Sequence, residues 1–419
     1  MKNLKLFIVS IFLLLLFLSC QNNSSKKTEI TFWHVMGGPT GDALKEIIDS
    51  FNLYNPEYRI VPISVGTYEA LSTKLMASMS NPPVLSQVYE SWTNEFYSNG
   101  ILTPFETILD EDFKKELMDD LFEIFIKDNT FNGVLVSLPF NKSVPAYFYN
   151  RDLFEKFSIT EFPENWDKFL EVMKLLTVDY DHDGTIDQYG TAFNINVWMF
   201  ECRLFQYGGE LVDSMIYPKF NSDAGVKSLS IEKRIINEDR SGYITTGYQQ
   251  QDDFLAKKVA AIYGSIVSLS FIMDANPDFK LGIAPVPMGD KKGVVISGTN
   301  IALFKKSTLK QKEGAIKFIK FFLSPNIQSK WSSRTGYIPV RKSSLESETL
   351  KRHFERFSGL KEVYMQIENA YMEPQDRLWY LGRKYLGNAL EYAIKANMDS
   401  KKALDEAADK IIDEMKKKR

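Results

Sequence analysis

Residues Gly133–Phe154 read GVLVSLPFNKSVPAYFYNRDLF. Asn132-Gly133 is a tight-turn dipeptide, and the apolar run Val134 to Leu138 after it has the pattern of a buried strand. Pro139 should end ladder pairing, because proline has no N–H to donate. Pro145 does the same just before a second short strand, Ala146 to Tyr149. Between the prolines lies a polar break, Asn141-Lys142-Ser143. Two strands separated in this way suit a chain that leaves one sheet and enters another, with the break facing a cleft between two lobes. The plainer alternative is two strands of one sheet joined by an irregular loop.

At 419 residues the chain is long enough for two or three domains. Lys+Arg (51) and Asp+Glu (54) nearly balance, and no basic stripe argues for nucleic acid. Phe and Tyr are abundant (30 and 20), which serves large cores and also aromatic walls for a ligand. The closing Lys416-Lys417-Lys418-Arg419 suits a helix C-terminus.

The N-terminus carries a targeting signal. Lys2 and Lys5 precede an apolar run, Leu6 to Leu18, too short for a comfortable membrane span. The run ends Phe17-Leu18-Ser19-Cys20, which resembles the lipobox of bacterial lipoproteins, with Phe17 where that pattern usually has Leu. An ordinary signal peptide with an incidental cysteine is the alternative. The resemblance implies export, cleavage after residue 19, lipidation of Cys20 and anchoring to the membrane surface by acyl chains. Gln21 to Lys27 would be the tether. The other cysteine, Cys202, then has no disulfide partner and should be a buried small hydrophobe.

Downstream, Glu29–Trp33, Ile60–Val65 and Val84–Tyr89 have strand character. They alternate with helices marked by Leu44, Ile47, Ile48, Phe51 and by Leu71, Leu75, Met79. This is an α/β unit with a parallel sheet. Tyr189–Phe193 and Val259–Tyr263 are strands of a second unit, and Trp198–Tyr207 is a helix. Phe279–Ile283, followed at once by Pro285 and Pro287, is a second crossing. Trp331–Val340 is a third, after a helix that Pro325 ends. Ala403, Leu404, Ala407, Ala408, Ile411 and Met415 mark a final amphipathic helix. Three crossings make lobes that are discontinuous in sequence, with strand C-termini and helix N-termini around the cleft.

Several motifs stand in this order: Phe32-Trp33-His34, Val65-Gly66-Thr67-Tyr68-Glu69, Gln87-Val88-Tyr89-Glu90, Pro139-Phe140-Asn141-Lys142-Ser143, Tyr149-Asn150-Arg151-Asp152 and Thr335-Gly336-Tyr337-Ile338-Pro339. From about Thr31 to Met415 the chain resembles the solute-binding lipoproteins of bacterial ABC importers, in the carbohydrate-binding group and near its glycerol-3-phosphate-binding members. The resemblance implies an α/β, two-lobed periplasmic-binding-protein fold of type II, hinged by three crossings. The expected first lobe is 28–139 with 281–336, and the second is 140–280 with 337–419. It implies a monomer that is not an enzyme, captures glycerol-3-phosphate, a glycerophosphodiester or a sugar by lobe closure, and hands it to a membrane permease.

By position, the resemblance assigns ligand contacts to Tyr68, Glu90, Ser143, Trp198, Ser265, Ser268, Gly298, Tyr337 and Arg383. A Glu facing the cleft accepts from ligand hydroxyls, and a guanidinium fork fits a phosphate. Arg377 competes with Arg383 for that role. Relatives place two tryptophans ahead of a Glu comparable to Glu201, whereas Asn194 to Trp198 here holds one.

Asp179, Asp181, Asp183, Thr185 and Asp187 follow the first part of a calcium loop, with Gly184 at the turn and Gly190 where a bidentate Glu belongs. Structural calcium and a self-capped acidic turn both fit; no other cofactor is expected. The three histidines are scattered, and no His-Glu-x-x-His, Gly-x-Ser-x-Gly or phosphate-binding glycine loop occurs. The abundant carboxylates leave a lipid-anchored carbohydrate-active enzyme as the alternative of a different class.

Overall fold

The computed structural model describes residues 27–417, apart from the side chains of Arg377 and Tyr380. The signal peptide, Cys20 and all of the tether but Lys27 lie outside the described residues. Lys27 is held by its ammonium, which donates to the carbonyls of Asn52 and Asn55, each at 2.8 Å. Among the described residues no helix is long and apolar enough to cross a membrane.

Two five-stranded sheets carry the molecule. The first has the order Tyr58–Ser64, Thr28–His34, Leu85–Val88, Ser297–Leu303, Leu138–Ser143. Its first three strands are parallel, and the last two are antiparallel to their neighbours. Parallel neighbours need covered faces. Helices Gly38–Tyr54 and Leu309–Phe322 supply one cover through Leu44, Ile48, Phe51, Phe318 and Phe322. Helices Tyr68–Ala77 and Glu90–Ser98 supply the other through Leu71, Leu75, Trp92 and Phe96.

The second sheet has the order Leu281–Ala284, Pro145–Asn150, Val259–Ser265, Tyr189–Phe193, Gly242–Ile244. Its core gathers Tyr147, Phe162, Trp166 and Phe169 in edge and tilted ring contacts. The last helices, Arg377–Lys395 and Ser400–Lys417, bury Leu386, Leu390, Leu404 and Ile411 against Phe200, Leu204 and Leu229 of the second lobe.

The first crossing is where the sequence places it, but its strands are cut differently. Val134–Leu135 forms only a small hairpin with Thr130–Phe131. The strand that leaves the first sheet is Leu138–Ser143, so Pro139 and the polar triplet are part of it. Pro139 is tolerated because this strand lies at the sheet edge, opposite a register shift at Thr299/Asn300. Val144 alone then separates it from Pro145–Asn150 in the second sheet.

The first lobe, expected to end at 139, therefore runs through Ser143, and two more boundaries shift. Leu281–Ala284, expected in the first lobe, pairs with Tyr147 to Asn150 of the second, so the second crossing is the segment from Pro285 to Ile296. The third is not at Trp331–Val340. Pro325 starts a helix rather than ending one: Pro325–Thr335 buries Trp331 against Phe140 and Phe322 of the first lobe. Arg341 then pairs with Glu116 and Asp120 of the same lobe. The chain meets a strand of the second sheet at Gly359, whose φ of +87° and close approach to the Ile283 carbonyl leave no room for a side chain.

Candidate functional site

The carboxyl ends of the first three strands and the start of Ser297–Leu303 line one edge of the first sheet. Facing them are the start of helix Val197–Gln206 and the segment that leads into Arg377–Lys395. They enclose a cavity of about 570 Å³. Tyr68, Glu90, Trp198, Gly298 and Arg383 all line it, so residues of both lobes meet there.

Each is positioned by local structure. Thr67 caps the helix that Tyr68 opens, accepting from Ala70 N at 3.1 Å. Glu90 is the first residue of its helix, where a carboxylate suits the dipole. Asn196 caps the Trp198 helix, and the Trp198 indole donates to the Val295 carbonyl at 2.8 Å, which fixes the ring. Gly298 has φ +97° and packs on the backbone of Asn141. Ala370–Tyr371 pairs in parallel with Val294–Val295 of the second crossing and so brings Glu373 to the cavity.

The remaining candidates fall elsewhere. Tyr337 is buried just behind the wall. Its ring stacks on Trp331 at 5.4 Å, and the Asn141 amide donates to it at 3.0 Å and to Tyr68 at 3.2 Å. Ser143 faces Ser297 across the strand pair. Ser265 accepts from Val267 N at 3.3 Å, and Ser268 opens a helix of only 7 residues. None of these three serines lines the cavity. The side chain of Arg377 lies outside the described residues.

Sequence reasoning missed several lining residues: Tyr89, Trp92, Asp128, Glu373 and Trp379. Trp379, from helix Arg377–Lys395, is a second indole beside Trp198 in the lining. Tyr68 and Tyr89 meet at 4.9 Å, and Trp92 stands edge-on to Tyr89 at 5.2 Å. Lys142 and Asp128, both buried, pair at 2.5 Å, and Asn300 donates to the same Asp128 oxygen at 2.9 Å. The Arg383 guanidinium is bound to Glu373.

The electrostatics follow from crowding. Burial, with Asp128 and Glu373 adding to it and Lys142 opposing, pushes the Glu90 carboxyl up to about 8. Burial and then Glu373 drive Glu201, which is fully buried with neither carboxylate oxygen hydrogen-bonded, well above the carboxylate range. Burial works against the charge on Arg383, yet the Glu201 and Glu373 carboxylates outweigh it and hold the guanidinium above its ordinary range. A polar, aromatic-walled cavity of this kind is suited to holding a small solute. A second, more open hollow of about 460 Å³ lies between Gly38, Asp42, Asp274 and Arg334 and holds none of the candidate residues.

In the acidic loop, Asp179, Asp181 and Asp187 each bring an oxygen within 4.8 Å of the others, a spacing that one cation could bridge. Asp183 instead accepts from Thr185 N at 2.7 Å. The loop is also closed by Gly184 N on Asp179 and Tyr180 N on Asp187, at 2.9 and 2.7 Å.

Residues 46–357 match the profile of the bacterial extracellular solute-binding proteins. The chain belongs to that family. This solute-binding protein is 24% identical to the sn-glycerol-3-phosphate-binding periplasmic protein UgpB of Escherichia coli K12, over 94% of each chain. It superposes on UgpB from Mycobacterium tuberculosis in complex with glycerophosphocholine at a TM-score of 0.80, with 21% identity, covering 93% and 99% of the two chains. Against the maltose/maltodextrin-binding domain MalE from Bdellovibrio bacteriovorus bound to maltotriose the values are 0.77, 19%, 93% and 100%. The fold is the two-lobed type II periplasmic-binding-protein fold of these neighbours, and the named relatives are binding proteins rather than enzymes.

Proposed function

We propose that the cavity between the lobes is the seat of glycerol-3-phosphate, a glycerophosphodiester or a sugar, captured by lobe closure for delivery to an ABC permease. The observation that carries this reading is the meeting of Tyr68, Glu90 and Gly298 of one lobe with Trp198 and Arg383 of the other around one cavity. A ligand touching both lobes favours the closed state by its differential affinity for it. The relatives named above bind solutes of these classes. Lipidation of Cys20 would keep the protein on the outer face of the cell membrane, within reach of the permease.

A thermal-shift panel of glycerol-3-phosphate, glycerophosphocholine and maltose tests the assignment. At least one should raise the melting temperature without being consumed. The shift from a phosphate-bearing ligand should vanish in Arg383→Ala. Product accumulation, or no shift with any of the three, would overturn the reading. Metabolic labelling with palmitate, lost in Cys20→Ala, tests the anchor.

A further inference from the structure

Glu373 occupies the place in the cavity where an anion would sit. One of its oxygens accepts from the Arg383 guanidinium, and the other accepts from the Trp379 indole at 3.1 Å. Both donors line the cavity, so a carboxylate of the protein already fills the fork that the family resemblance assigns to a phosphate. The other inner cation, Lys142, is bound to Asp128. Among the described residues no cation pairs with Glu90, which lines the same wall. Glu201, buried nearby, has both oxygens unpartnered. At the exposed mouth, Glu69 and Lys384 are one of each sign and face solvent.

Among the described residues, both inner cations, Arg383 and Lys142, are therefore already engaged by carboxylates of the protein. We infer that Glu373 is a built-in counter-anion that sets the charge of the solute: the seat takes a ligand with no net negative charge and disfavours a phosphate monoester dianion. This rests on the reading of the cavity as the solute seat. A dianion would have to part Glu373 from Arg383 and then sit beside the displaced Glu373 carboxylate, where repulsion in a partly enclosed site is stronger than in bulk water. A polyol brings hydroxyl donors, which unpaired carboxyl oxygens accept. A zwitterionic phosphodiester brings its own cation, which the faces of Tyr68 and Tyr89 beside Glu90 can receive.

Titration calorimetry of the purified protein near neutral pH with glycerol-3-phosphate, glycerophosphocholine and maltose tests this. Wild type should bind glycerophosphocholine or maltose at least about 100-fold more tightly than glycerol-3-phosphate. Glu373→Gln, which keeps the side chain's shape and one acceptor, should strengthen glycerol-3-phosphate binding about tenfold or more. Glycerol-3-phosphate binding wild type as tightly as the better of the other two overturns the inference and leaves the solute-binding reading standing. An unchanged gap in a folded Glu373→Gln protein also overturns it. Should that variant not fold, the wild-type ranking decides alone. Failure of all three ligands to bind removes the proposed seat and the inference together.

Discussion

Lys142 and Asp128 form the deepest charged pair in the cavity wall, each almost without exposure. Removing one member leaves the other charged in a site that water does not reach. Lys142→Ala should lower the unfolding free energy by about 3–5 kcal/mol in denaturant titrations. Lys142→Met with Asp128→Asn should recover most of that loss, because no buried charge is stranded. Glu90 behaves differently. Its carboxyl titrates near 4.5 in an unfolded chain and at about 8 in the fold. Between those values the native state holds a proton that the unfolded chain has released. The stabilising contribution is complete below about pH 4.5 and is lost as pH rises through about 8. Wild type should therefore lose stability relative to Glu90→Gln between pH 5 and pH 9, and parallel stability curves would refute the assignment. Neither effect could be read from residue order alone. Asp128 and Glu373 lie 38 and 283 positions after Glu90, and only the fold makes them neighbours.

Among elements, the antiparallel pair Ser297–Leu303 and Leu138–Ser143 ties the second crossing to the first. Gly298 is where the two backbones approach most closely: a Cβ there would lie 1.8 Å from the Asn141 carbonyl oxygen, at a φ of +97°. Gly298→Ala should cost about 3 kcal/mol or more and remove ligand binding, read by thermal melting and calorimetry. Gly100→Ala, at φ +65° but in open space, should cost only about 1 kcal/mol. The parallel strands were legible because apolar runs and helical periodicity alternate cleanly; Tyr189–Phe193 was located to the residue. The edge strand through Pro139 was not, since whether a proline breaks a ladder depends on whether its missing N–H would have faced a partner. The sequence marks Trp331–Val340 as a crossing because Pro325 can end a helix or begin one, and only the packing of Trp331 on Phe140 distinguishes the two.

For the whole molecule, the two-lobed plan was recoverable from the turn, proline and strand pattern, while the lobe boundaries at 281 and 337 were not. They depend on which sheet edge remains unfilled. The chain passes between the two sheets at Val144, across residues 285–296 and ahead of Gly359. Small-angle scattering should show a smaller radius of gyration once whichever of glycerophosphocholine, maltose or glycerol-3-phosphate raises the melting temperature is added. At about 100 times Kd that ligand should add about 2.7 kcal/mol of stability. An unaltered radius with a bound ligand would exclude closure. Cys202 bears on how such a rearrangement can be followed. Its thiol is fully buried, accepts from Val295 N at 3.2 Å and is pushed up to about 12, so almost none of it is thiolate at neutral pH. In a chain starting at Lys27 it is the sole native sulfhydryl and should be inert to maleimides. A cysteine introduced at exposed Tyr248 could then carry a single fluorophore without removing anything, turning the protein into an optical reporter of its own cargo.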